Sequence, residues 1–214
     1  MIRSAWLGRM GYGEALAMQE QMVAAKIADR SVGDALLLLE HESVYTIGRT
    51  LDQRSLGGGK LPYPVVVTGR GGQATYHGPG QLIGYPVIDL KEHGEDLHRY
   101  LRKLEGLIMA ICGHWGVVGE RKEGLTGVWV GEKKIASIGI GVRRWVSMHG
   151  FALNVGGDLS PYEAITPCGI AGVEMTSLER ESGRSLEVEA VASVASGLVG
   201  QHLCRDVSLG GQKV

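Results

Sequence analysis

The sequence predicts an α/β chain of the α+β kind, a mixed sheet with helices packed on one side of it, and three observations carry that prediction. Three stretches keep a helical hydrophobic period, β-prone runs cluster between them, and the two kinds never settle into a regular strand–helix–strand alternation. With 214 residues, 44% hydrophobic and 21% charged, the chain can bury a core. No linker composition divides it, so residues 1–214 read as one domain with a frayed tail from residue 205 onward.

Residues 12–29 are rich in Ala, Met, Gln and Glu, and Tyr12, Leu16, Val23 and Ile27 share one stripe, which predicts an amphipathic first helix. ALLLLEH and SVYTIG follow as short β-prone runs with a turn between them. A polar loop over 50–59, with three successive glycines, is expected to be exposed and mobile. Residues 65–68 and 82–89 read as strands bracketing a glycine-rich loop, the second apolar enough for burial on both faces. The clearest helix is 97–115: Leu97, Tyr100, Leu101, Leu104, Ile108, Ile111 and Trp115 line one face, with Arg99, Arg102, Lys103 and Glu105 outside it. TGVWVGEKKIASIGIGV predicts a hairpin turning at Gly131 and Glu132, and 146–155 a further strand. The last helix is expected over 186–203 with Ser185 as its N-cap, Glu187 and Glu189 in the first turn, and Val191, Val194, Ala195 and Leu198 on its apolar face.

The formal charge of -1, from 22 basic and 23 acidic residues, supplies no global field for nucleic acid or an anionic membrane. A charged-then-apolar leader and a bilayer-length apolar run are both lacking, so a cytoplasmic protein is expected. Cys112, Cys168 and Cys204 make an odd count with no C-x-x-C pair, which argues against a disulfide framework and a zinc knuckle. His and Cys at short metal-binding spacing are missing, as is G-x-x-x-x-G-K-[ST], so neither a metal nor another cofactor is expected.

Glycine makes up 34 of 214 residues, and the densest cluster lies in GRGGQATYHGPGQLIGYPVIDL, residues 69–90. Gly69, Gly71, Gly72, Gly78 and Gly80 are expected to supply positive φ and close backbone approach, while Arg70, Gln73, Tyr76 and His77 add polar chemistry to a bare loop. Cys112 and Cys204 fall on predicted helices, where a thiol is a small apolar group; Cys168 lies in ITPCGIAGVEMTSL, which has no helical or strand period. A thiol becomes a nucleophile when a cation or base stands beside it. His77 and His149 occupy glycine-bearing contexts, and Lys133 and Lys134 open the strand KKIASIGIG facing opposite sides; the pattern leaves open which lysine points inward.

Five ordered blocks, HESVYTIGR, RGGQATYHGPGQLIGYPVIDL, GVWVGEKKIASIGI, HGFALNV and TPCGIAGVEMTSL, resemble the lipoyl(octanoyl) transferase family, whose fold is that of biotin and lipoate protein ligase catalytic domains. The resemblance covers nearly the whole chain; GGDLS stands where N-T-D-L-S is usual, and the extreme C-terminus matches little. It implies an acyltransferase that moves octanoyl from octanoyl-acyl carrier protein to a lysine of lipoyl domains, those of 2-oxoacid dehydrogenase complexes and the glycine cleavage H protein. It further implies Cys168 as the acyl-thioester nucleophile and Lys134 as its activating partner. Around the acyl substrate it places Arg70, Gly71, Gly72, Gln73, Ala74, Thr75, Tyr76 and His77, then Ser137, Ile138 and Gly139, then Gly150, Phe151 and Ala152, with His149 an auxiliary candidate. A monomer with no cofactor, no nucleic acid and no membrane partner is expected. An ATP-dependent ligase of the same fold has no need of a nucleophilic cysteine, so Cys168 separates the two readings.

Overall fold

The computed structural model of the protein describes residues 2–50, 53–169 and 172–203, with Gln53 and Cys168 as backbone only. Cys204 and the expected frayed tail lie outside the described residues. The chain opens with β1 (Arg3–Met10), which the sequence pattern missed because its residues are half-exposed and carry two arginines. Then come α1 (Tyr12–Ala28), β2 (Ala35–His41), β3 (Val44–Ile47), β4 (Val65–Val67), β5 (Thr75–His77) and β6 (Gln81–Val87). The middle holds α2 (Leu97–His114), β7 (Glu120–Lys122), β8 (Leu125–Val130), β9 (Lys133–Arg143) and β10 (Val146–Asn154), and the end α3 (Leu178–Ser182) and α4 (Val188–Leu203).

Seven strands form one mixed sheet in the order β1-β2-β6-β10-β9-β8-β7, with β1 and β2 parallel and the other neighbours antiparallel. β4, β3 and β5 form a separate small sheet, so the strands expected to bracket the glycine-rich loop belong to different sheets. Helices cover both faces of the large sheet, which corrects the one-sided arrangement. Leu36, Leu38, Leu82 and Leu153 pack with Leu104, Ile108, Val191 and Ala195 of α2 and α4. The alternate residues Leu37, Leu39, Ile83, Tyr85 and Ala152 pack with Ala15 of α1. A strand such as LLLL, apolar at every position, is what a sheet covered on both faces demands.

Local chemistry sets the helix ends. Asp96 caps α2 by accepting from Arg99 N at 3.0 Å, and Ser177 caps α3, which stops at Gly183 in the left-handed region. α4 starts at Val188, past the expected Ser185 cap, and buries Val188, Val191, Ala192, Ala195, Val199 and Leu203. α1 buries Tyr12, Ala15, Gln19, Val23 and Lys26, a stripe rotated from the expected one because Gln19 and Lys26 find partners: Gln19 Oε1 accepts from His149 N, and Lys26 Nζ meets Asp34 at 2.7 Å. Glu105, expected on the outer face of α2, is fully buried between Arg102 at 2.6 Å and Arg121 at 3.0 Å. The loop expected to be exposed contains a short 3₁₀ turn, Gln53–Leu56, and there Ser55 is buried.

Candidate active site

The glycine-rich loop lies over the far half of β9. β8 pairs with β9 only as far as Ala136, and beyond it the free edge is met by the loop, where Gly71 N donates to Ile140 O at 2.8 Å. Arg70 braces this crossing. Its Nη2 donates to Thr46 O and Oγ1, both at 2.8 Å, and its Nη1 to Gly71 O at 3.0 Å. Of the five glycines expected at positive φ, Gly72 (84°) and Gly80 (85°) are there. Gly69, Gly71 and Gly78 are not; at Gly78 a Cβ would strike the Tyr76 phenol instead.

Beneath the loop is a cavity enclosing about 450 Å³ of open space, its mouth to solvent included. The structure brings Arg70, Gly72, Gln73, Thr75, His77, Ser137, Ile138, Gly139, His149, Gly150, Phe151 and Ala152 to its wall. Three residues of the expected set are turned elsewhere or covered. Ala74 and Tyr76 alternate with Thr75 and His77 and join the cluster of Tyr45, Tyr162 and Ile165, and Gly71 is spent on β9. Tyr12 and Tyr85 line the cavity and were missed. Tyr85 was visible as the inward member of an apolar strand, whereas Tyr12 at the start of α1 gave no signal beyond its place on the helix stripe.

Three neutral histidines stand in or behind this wall. His41 Nδ1 bonds Met10 O at 3.1 Å and its Nε2 bonds Tyr85 Oη at 2.8 Å, so the phenol donates to the ring. His77 Nδ1 bonds Gln81 Oε1 at 2.8 Å and its Nε2 faces Thr46 Oγ1 at 3.4 Å. Burial pushes His41 down to about 4 and His77 to about 3, the latter helped by the neighbouring His41. His149 is held at about 4 by burial and by the charges of Arg70 and Arg143, and neither of its ring nitrogens has a hydrogen-bond partner. Each group therefore binds a proton more readily unfolded than folded. The stability they leave intact above pH 6.5 is lost as pH falls toward 4, at up to about 4 kcal/mol per pH unit near pH 5 if all three are involved. Urea unfolding at pH 7 and pH 5 should show a loss of several kcal/mol; equal stability at the two pH values would contradict neutral, buried imidazoles.

A polar chain leads from His77 away from the cavity. Gln81 Nε2 donates to Asn154 Oδ1 at 2.8 Å, Asn154 Nδ2 to Thr176 O at 2.9 Å, and Thr176 N to Lys134 O at 3.0 Å. Lys134 is fully buried, its Nζ donating to Thr126 O at 3.1 Å and standing 5.4 Å from the Trp129 ring centroid. Lys133 points out, to Glu174 at 3.2 Å, so the lysine pair left open by sequence resolves with Lys134 inward. Two residues that sequence reasoning passed over shape the lysine's bed. At Gly127 (φ 130°) a Cβ would come within 2.7 Å of Lys134 Cε, and Gly127 N is held by Glu105 Oε1 at 3.2 Å.

Cys168 lies in a short 3₁₀ turn, Pro167–Gly169. Gly169 N closes that turn on Thr166 O at 3.0 Å, and Thr166 N donates to Ser55 O at 2.8 Å. Ser55 Oγ in turn accepts from Ala74 N at 3.2 Å, tying the turn to the end of the glycine-rich loop. Gly169 (φ 70°) has the Gln73 amide against its Cα, so a side chain there would collide with Gln73. Downstream, Lys134 N donates to Glu174 O at 2.8 Å, and Lys134 and Met175 form a parallel bridge. The cysteine's turn is thus tied to the end of the glycine-rich loop, through Ser55 to Ala74 and at Gly169 against Gln73, and the residues downstream to the lysine's strand. Among the described residues no group of three His, Cys, Asp or Glu could hold a metal ion, and no helix is long and apolar enough to cross a membrane.

A mixed sheet with helices on both faces and a glycine-roofed cavity on it define an α/β domain built around a small-molecule site. The family profile described as lipoyl protein ligase A/B catalytic domain matches residues 11–197, and the chain belongs to that family. Within it, relatives carrying the name octanoyltransferase are similar over most of their length. One from Geobacter sulfurreducens is 52% identical over 198 residues, covering 91% of this chain and 82% of its own. One from Citrifermentans bemidjiense is 51% identical over 203 residues, covering 93% and 98%. A solved structure of a putative lipoate protein ligase from T. acidophilum matches with a TM-score of 0.66 over 94% of this chain and 84% of that one; at 16% identity it shows the shared fold.

Proposed function

We propose that this protein transfers an octanoyl group from octanoyl-acyl carrier protein to a lysine of lipoyl domains, through a thioester on Cys168. The observation that carries the reading is a double fastening: the turn holding Cys168 rests on Gln73 of the cavity, and Glu174 and Thr176 downstream of it are bonded to the backbone of the buried Lys134. In the first step Cys168 Sγ gives up its proton to Lys134 and bonds to the octanoyl carbonyl carbon, the carbon–sulfur bond to the carrier breaks, and the carrier sulfur leaves as a thiol by taking that proton from Lys134. In the second, the acceptor's neutral amine attacks, the Cys168 thioester bond breaks, and Lys134 accepts the amine's proton. Arg70, Gly72, Gln73, Thr75 and His77 with Ser137–Gly139 and Gly150–Ala152 form the walls that hold the acyl chain. Gly71, Ala74 and Tyr76 support those walls from behind.

The incoming acyl group is already a thioester, so the transfer draws its driving force from that bond and needs no nucleotide. The lipoyl domains would be those of 2-oxoacid dehydrogenase complexes and the glycine cleavage H protein, met by a cytoplasmic monomer whose residues 1–214 act as one catalytic domain. Mixing the protein with octanoyl-carrier protein and a lipoyl domain, without ATP, should yield octanoylated lipoyl domain by intact mass. Transfer that appears only on adding ATP and free octanoate would instead make it a ligase.

A further inference from the structure

The cavity floor on β9 and β10 has two unlike ends. One end is Ser137, three residues beyond Lys134 on β9, with Gln73 and the Gly169 turn close by. The floor then runs through the facing pair Gly139 and Gly150. At the other end stands His149, paired with Ile140. Simple alternation along β10 would turn its ring to the face opposite Met148. Its φ of 56° breaks that alternation, a left-handed conformation rare for a residue with a side chain. The ring instead shares Met148's side: a Cβ at Gly141 would stand 3.1 Å from His149 Cδ2 and 3.1 Å from Met148 Cγ. Gln19 Oε1 on α1 fixes the turn by accepting from His149 N at 2.8 Å.

The ring is 2% exposed, and both nitrogens lack a hydrogen-bond partner. A buried polar ring left unpaired in a strained backbone is a cost that packing alone does not require, and such costs gather where a ligand is handled. The same ring also lines a second groove on the outer side, with Leu16, Glu20, Arg49, Arg143 and Met148. His149 is therefore a partition between cavity and groove. The distances suit that role. Three strand steps from Ser137 to Ile140, the partner of His149, span about 10 Å, and an octanoyl chain, with bonds of about 1.5 Å in a zigzag, reaches about 9 Å. A thioester at the Ser137 and Gln73 end would bring the terminal methyl to the His149 ring.

We propose that His149 is the end stop of the acyl cavity, setting the chain length accepted, and that the outer groove behind it would receive a longer chain once the stop is removed. The proposal rests on the reading of this cavity as the acyl site. Its test is the relative kcat/KM for hexanoyl- to tetradecanoyl-carrier protein, measured on the unaltered protein, His149→Gly and Arg143→Ala. Glycine accepts the left-handed backbone, and His149→Asn, which also tolerates it, is the second variant should the first fail to fold. The unaltered protein should fall off steeply beyond octanoyl. The dodecanoyl-to-octanoyl ratio should rise about tenfold or more in the His149 variants, a difference of about 1.4 kcal/mol. Arg143→Ala, a change in the outer groove that leaves the His149 ring in place as the stop, should keep the original profile. An unchanged profile in a folded His149 variant, or an equal shift in Arg143→Ala, overturns the end stop while leaving octanoyl transfer standing. No transfer of any acyl group by the unaltered protein overturns the underlying reading instead.

Discussion

Cys168→Ser should abolish octanoyl transfer, with kcat falling on the order of 10⁴-fold, the scale of loss when a covalent nucleophile is removed. A serine hydroxyl holds its proton far more tightly than a thiol does, so the partner that serves Cys168 does not ionise it to a useful extent. Folding should be unaffected, because the turn Pro167–Gly169 is held by backbone bonds from Gly169 to Thr166 and from Thr166 to Ser55. Thermal unfolding run beside the kinetics separates the two effects. Near-normal transfer by the serine protein would remove the thioester from the pathway.

Lys134→Met should lower transfer by about 10² to 10⁴, the usual worth of a positioned proton-transfer group. Methionine keeps the length and most of the volume of the buried side chain, so contact with Trp129 and the fit against Gly127 persist. The substitution removes the Nζ bond to Thr126 O at 3.1 Å, and because Thr126 is exposed the loss should cost about 0.5 to 1.5 kcal/mol of stability. The two readouts therefore separate: a modest drop in unfolding free energy with a large drop in transfer supports the lysine's chemical part. A stability loss with unchanged transfer at neutral pH would make Lys134 a core residue and nothing more.

Much of this site could be read from residues 69–77 because the loop's chemistry is local. Glycines and a proline exclude regular structure, so the polar side chains among them had to face a neighbour or a ligand. What sequence could not supply was the side on which each faces. Tyr76 was grouped with His77, yet strand alternation in β5 sends one to the tyrosine cluster and the other to the cavity. Arg70 looks like a ligand-binding cation in isolation, while three-dimensional contact with Thr46, 24 residues earlier, makes it a brace for the loop. The same holds for the fold. LLLL in β2 announced burial on both faces, and reading it fully would have placed helices on both sides of the sheet. Glu105 was assigned outward on helical period alone; Arg121, 16 residues on, is what allows it inside. His149 gave no sign of its left-handed backbone, which Gln19 of α1 imposes from 130 residues away.

The central claim is that the octanoyl group rests on Cys168 between donor and acceptor. Mixing the protein with octanoyl-carrier protein alone, quenching in acid and mapping the adduct by peptide mass spectrometry tests it directly. The account predicts one octanoyl group, on the peptide containing Cys168, released when a lipoyl domain is added. An adduct on another residue, or full transfer with no acyl-enzyme formed at any time, would contradict it.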